Sequence, residues 1–169
     1  MRRLLHRGSV MIETAMFLPL LFLLFLGTVE FTRVTYTYYT LEKILYNLAR
    51  YAGTQQGVNF CDENDATVAA AKALAVTGTA DGTGEPLIAG LAAENIAIRL
   101  ERWEQSTAAY IECACEASAL GCDTSGGARG PDSIVVYLPQ GYPVQFRIIG
   151  LSFEPILLRP QVRVPFGGT

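Results

Sequence analysis

The residues best placed to do chemistry in this chain are a glycine, a serine and a glutamate at the head of a long apolar run. Gly8 and Ser9 stand just before Glu13, and from Thr14 to Val29 no side chain is charged. An acid in an otherwise apolar span is costly, which marks it as functional and calls for a partner of opposite charge. The second group is Cys61, Cys113, Cys115 and Cys122. An even count on the outer side of a membrane suggests up to two disulfides among three connectivities. Cys113 and Cys115 sit two apart on one expected strand, where such neighbours seldom bond each other, so Cys122 or Cys61 supplies their partners. Zinc is the competing reading, but the single histidine is His6 and a Cys-Ala-Cys spacing is not that of a zinc ribbon. The third group is Glu101, Glu104, Glu112 and Glu116, types that serve glycoside hydrolysis or calcium binding. Their alternation along strands reads instead as a wet face. There is no P-loop, no glycine-rich dinucleotide turn, and no histidine beyond His6 to serve a nucleophile. The expectation is a protein that is not an enzyme and has neither cofactor nor metal.

The element that must carry Glu13 is the N-terminal run itself. Its twenty positions from Val10 to Val29 span ~30 Å as a helix, the thickness of a bilayer's hydrocarbon core. Arg2, Arg3 and Arg7 precede it and only Arg33 closely follows, so the positive-inside rule places the N-terminus in the cytoplasm and the remainder outside. A cleaved secretory signal would need a small-x-small site, and Gly27-Thr28-Val29-Glu30-Phe31 is a poor match. Pro19 removes a hydrogen bond to the carbonyl of Ala15, so a kink is expected there. The helix should continue outside, because Phe31, Val34, Tyr38, Leu41, Leu45, Leu48 and Ala52 recur at spacings of three and four. That stripe is expected to pack the stem against its own domain.

Half of the residues are apolar, enough for one membrane helix and one small exported domain. Without residues 1–8, ten basic side chains face sixteen acidic ones, a charge of about −6 that argues against nucleic acid as a partner. Gly53 to Glu63 should break the helix, and a second helix should start at Asn64 or Asp65 and reach Gly78. Pro86 is expected to open a short helical turn with Leu87, Ile88 and Leu91. From Asn95 the period becomes two. Ile96, Ile98 and Leu100 form one inward face, and Ile111, Cys113, Cys115 and Ala117 a second. Ile134–Leu138 reads as a central strand, Val144, Phe146 and Ile148 as the next, and Val162 with Val164 as an edge strand between Pro160 and Pro165. Long helix, short helices and antiparallel strands make the fold class α+β, with the stem on one face of the sheet. The chain divides into 1–8, 9–30 in the membrane, 31–53 as the outer stem and 54–169 as the domain.

Gly8-Ser9-Val10-Met11-Ile12-Glu13, behind the short basic leader MRRLLHRG, resembles the type IV prepilin site. Glu30-Phe31-Thr32-Arg33 and Leu48-Ala49-Arg50-Tyr51-Ala52-Gly53 narrow the likeness to TadE-like pseudopilins, minor pilins of tight-adherence pili. The resemblance implies cleavage after Gly8 by a prepilin peptidase, with Glu13 as mature residue five. The partners it implies are other pilins and pseudopilins, that peptidase, an assembly platform in the inner membrane, and the lipid bilayer. It also implies a single-pass inner-membrane protein that enters an extracellular pilus. The new ammonium of Ser9 would then meet Glu13 of a neighbour, pairing two charges each costly in lipid. The competing expectation is an uncleaved, membrane-anchored binding domain outside any filament.

Overall fold

The computed structural model describes residues 5–55, 57–62, 64–116, 121–148, 151–152 and 154–167, with side chains for all of these except 5–9, 126, 147–148 and 151–152. Arg2 and Arg3, and the Ala117 expected on the second strand, lie outside the described residues. Met1–Thr37 with Val144–Ile156 makes one compact unit, and Tyr38–Pro143 with Leu157–Thr169 a second.

Helix α1 runs from Leu5 to Thr54, 50 residues and ~75 Å long. It begins upstream of Gly8 and passes through Pro19 without a break. It also runs past Gly53, where a helix end was expected. Gly53 is there for room: a Cβ would lie 3.2 Å from the Pro165 carbonyl oxygen and 3.5 Å from Val164 Cγ2. The chain's last strand thus lies against the final turn of α1, and Gly167 N–H donates to the Gly53 carbonyl at 2.9 Å.

Helix α2, Ala66–Thr77, starts where a capping residue permits. Asp65 Oδ1 accepts from the backbone N–H of Thr67 at 2.8 Å and of Val68 at 3.2 Å. Gly78 ends the helix in the left-handed conformation, φ 78°, donating to the Leu74 carbonyl. The helical turn expected after Pro86 is absent. Leu87 N–H is taken by the Val76 carbonyl at 2.8 Å, so the segment is bound to the end of α2, and only Leu91 of the three apolar residues is fully buried.

Four strands form the main sheet in the order β2-β1-β3-β8: β1 Ala97–Glu104, β2 Ala109–Glu112, β3 Ser133–Tyr137 and β8 Gln161–Pro165, with every pairing antiparallel. The chain is therefore α+β, with β3 central and β8 at an edge. Short β4 (Tyr142–Val144) pairs with β7 (Ile156–Leu158), and β5 (Arg147–Ile148) with β6 (Leu151–Ser152). The single strand expected over Val144, Phe146 and Ile148 is thus divided between two ladders.

The core of the second unit joins α1 to one face of the sheet. Leu41, Leu45 and Leu48 are at most 1% exposed and cluster with Leu100, Ile134, Val136 and Leu138, while Val162 and Val164 pack alongside. Each buried leucine contributes about 1.5–3 kcal/mol.

Candidate functional site: the stem helix and its cross-linked domain

From Val10 to Phe25 every large apolar side chain of α1 is at least half exposed, Leu18 at 50% and Met11 at 78% marking the extremes. The most apolar eighteen-residue window reaches a mean hydropathy of 2.2 with none of it buried. A bare apolar cylinder of this length is not stable in water, so α1 is a candidate membrane anchor near the N-terminus. Hydroxyls in and just beyond this stretch are handled locally. Thr14, Thr28, Thr32 and Thr37 each donate to the carbonyl four residues back, at 2.8–2.9 Å. Such bonds satisfy polar groups where water is scarce.

Glu13 is handled differently. It is exposed on the same helix and makes no ion pair among the described residues. Gly8 and Ser9 lie one helical turn before it, their backbone inside α1. Where the apolar stretch ends, Glu30 pairs with Arg33 at 3.4 Å, the i,i+3 spacing of one helix face.

The outer stripe divides sharply along its length. Phe31 is 70% exposed, Tyr38 39% exposed and Val34 half-buried, whereas Leu41, Leu45, Leu48 and Ala52 are buried. Ile44 and Ala49 share that burial. They widen the seven-residue stripe into a broader face, as a helix lying on a sheet requires.

The four cysteines form two disulfides, Cys61–Cys115 and Cys113–Cys122, leaving none free. This removes zinc ligation as a role for them. The pairing also explains why β2 stops at Glu112 and is exposed throughout, against the expectation of one strand through Cys115 with a buried face. Beyond Cys113, the chain turns so that Cys113 reaches the core beside Cys122, while Cys115 stays exposed and is tied to the loop at Cys61. Cys122 N–H donates to the Ala114 carbonyl at 2.9 Å and locks that turn.

One charged cluster is not evident from alternation alone. Glu101, on the sheet face away from α1, is 4% exposed. Arg99 donates to its Oε1 through Nε at 3.1 Å and Nη2 at 2.9 Å, and Arg163 Nη2 lies 2.7 Å from Oε2. Arg99 also lies over the Tyr137 ring and Arg163 over Tyr110, which meets Trp103 edge-on. The available signal was face parity, since Arg99, Glu101 and Arg163 share one side of the sheet. Glu112 and Glu116 are exposed, as expected of a wet face, and Glu104 is half-buried.

The apolar anchor, Glu13 and the buried outer stripe all fall within one stretch with a family likeness. Residues 8–50 match the TadE-like protein family. No curated protein and no solved structure matches the chain. The match runs from Gly8 to Arg50 and so covers the TadE-like stem but not the sheet domain.

Proposed function

We propose that the protein is a non-enzymatic minor pilin of a tight-adherence pilus, cut after Gly8 by a prepilin peptidase and inserted by its TadE-like stem. The N-terminus lies in the cytoplasm before cleavage, and the disulfide-bonded domain lies outside the inner membrane. The observation that carries this reading is Glu13: an exposed carboxylate, unpaired among the described residues, one helical turn past Gly8 on a bare apolar helix. Such a charge is costly in lipid and gains from a cation. Cleavage would create that cation as the ammonium of Ser9, and a neighbouring subunit would bring it to Glu13. The burial of Leu41 to Ala52 gives the reading its second support, since the outer stem then carries the domain while the inner stem stays free for other subunits.

The test is mass spectrometry of the protein isolated from membranes of cells with and without a prepilin peptidase. The expected mature chain begins at Ser9 only when the peptidase is present. A chain that keeps Met1 in its presence would sink the reading and favour an uncleaved anchored domain.

A further inference from the structure

The main sheet ends in two edges, β2 and β8, both within the second unit. Their outward backbone groups follow from the register. Cys113 N–H donates to the Leu100 carbonyl, one step beyond the Glu101–Glu112 pair, and Phe166 N–H to the Asp132 carbonyl, one step beyond Ser133–Pro165. Bonded and non-bonded pairs alternate along an antiparallel ladder. Ile111, Val162 and Val164 therefore bond inward, whereas Tyr110 and Glu112 of β2, and Gln161 and Arg163 of β8, turn N–H and C=O away from the sheet.

The two edges match in direction and in side chains. With every pairing antiparallel in the order β2-β1-β3-β8, the first and last strands run in opposite directions, so copies standing in one orientation bring β8 of one against β2 of the next antiparallel. A two-fold joining β2 to β2 would instead reverse one α1, which lies on the sheet face, and helices inserted in one membrane share a direction. On the α1 side of β8, Tyr39, Glu42, Lys43, Tyr46 and Val162 line an open groove of about 290 Å³. Ile111, 43% exposed, lies on that same side of the sheet, since it shares the parity of buried Leu100. Pro160 and Pro165 bracket β8, which confines an added strand to a short window, and β2 is correspondingly short.

We propose that β2 of one copy adds to the β8 edge of a second copy of this chain, with Tyr110 opposite Arg163, Ile111 opposite Val162 and Glu112 opposite Gln161. This register joins outward groups to outward groups. It sets Ile111 beside Val162 at a close, non-bonded pair over the groove, and places Glu112 across from the Gln161 amide and diagonal to the Arg163 guanidinium. A shift of two residues in one direction sets Pro165, which lacks a donor, against Tyr110, and in the other sets Arg163 against Ala108, whose φ of 48° lies outside the strand. Each copy offers one edge of each kind, so the contact continues from copy to copy. It requires α1 to span a membrane, but neither cleavage after Gly8 nor the charge of Glu13.

The experiment uses the full chain in membranes, with Ile111→Cys and Val162→Cys on two differently tagged copies expressed together under oxidising conditions. A non-bonded pair holds its Cα atoms at about 4.5 Å, within disulfide reach, whereas in one copy two strands separate these positions by roughly 14 Å. Expected is a mixed disulfide dimer several-fold above the level from either variant alone, and a ladder of higher species when one chain carries both. Peptide mapping checks that Cys61–Cys115 and Cys113–Cys122 persist. A second measurement adds no cysteine: p-benzoylphenylalanine in place of Ile111 should photo-cross-link to the segment around Val162 or to Tyr39–Tyr46 of another copy. A dimer from Ile111→Cys alone overturns the pairing in favour of a two-fold. Photo-cross-linking only to a different protein removes the second copy as occupant, and no cross-link by either route leaves both edges to water.

Discussion

Glu101 shows what a single side chain contributes. Removing Arg99 and Arg163 together would leave the Glu101 carboxylate with neither cation, a change expected to cost about 2 kcal/mol because the space they vacate admits water. Glu101→Gln is expected to cost only about 1 kcal/mol, because both arginines are partly exposed and turn to water. Denaturant unfolding of the detergent-solubilised protein checks this order. Equal costs would mean that the ion pairs do not govern the site. Asp65 is the opposite case, a residue legible in advance as a helix cap. Burial pushes its carboxyl upward, but the N–H groups of Thr67, Val68 and Asn59 outweigh that and hold it below the usual value of 3.8. A depressed folded value means that its stabilisation is complete above 3.8 and is lost as pH falls through the folded value. Asp65→Ala should therefore cost about 1 kcal/mol at neutral pH, and thermal melts of mutant and parent should converge in acid. Capping could be foreseen because it is local, whereas the burial of Glu101 depends on Arg163, 62 residues away on another strand.

The same contrast holds for whole elements. α1, α2, β1 and β8 follow their periodicities, since one face of each meets a core, and β3 follows its continuous apolar run, being buried on both faces. β2 does not, because two cross-links turn the chain out of the ladder before the alternation is complete. The cross-links themselves differ in exposure. Cys113 and Cys122 are buried in the core cluster, whereas Cys115 is exposed and Cys61 half-buried. A thiol reagent attacks only a sulfur it can reach. Under native conditions a reductant should open Cys61–Cys115 first, and alkylation followed by peptide mapping should find label at Cys61 and Cys115 before Cys113 and Cys122. Its sequence separation is 54, so losing it removes a loop constraint worth about 4 kcal/mol in the chain-entropy description. Simultaneous labelling of all four cysteines would show that the domain opens as a whole before either bond is reached.

At the scale of the whole molecule, one helix serves two environments, and the two ends of the stem should respond to mutation independently. Leu45, fully buried, is expected to cost 2–5 kcal/mol of domain stability on replacement by alanine, with insertion of the protein unchanged. Glu13→Ala should do the reverse. It removes an acid from the first turn of the apolar span, so insertion stays equal or improves, and the melting of the domain does not move. What it removes is the charge that a neighbouring subunit's ammonium would meet. A loss of about 1.4 kcal/mol there already lowers incorporation tenfold. The measurement is the ratio of this protein in sheared pili to that in the membrane fraction, compared between parent and mutant. A fall of tenfold or more at constant membrane level is expected. An unchanged ratio would separate assembly from charge pairing and leave α1 as an anchor alone, even if cleavage at Ser9 were found.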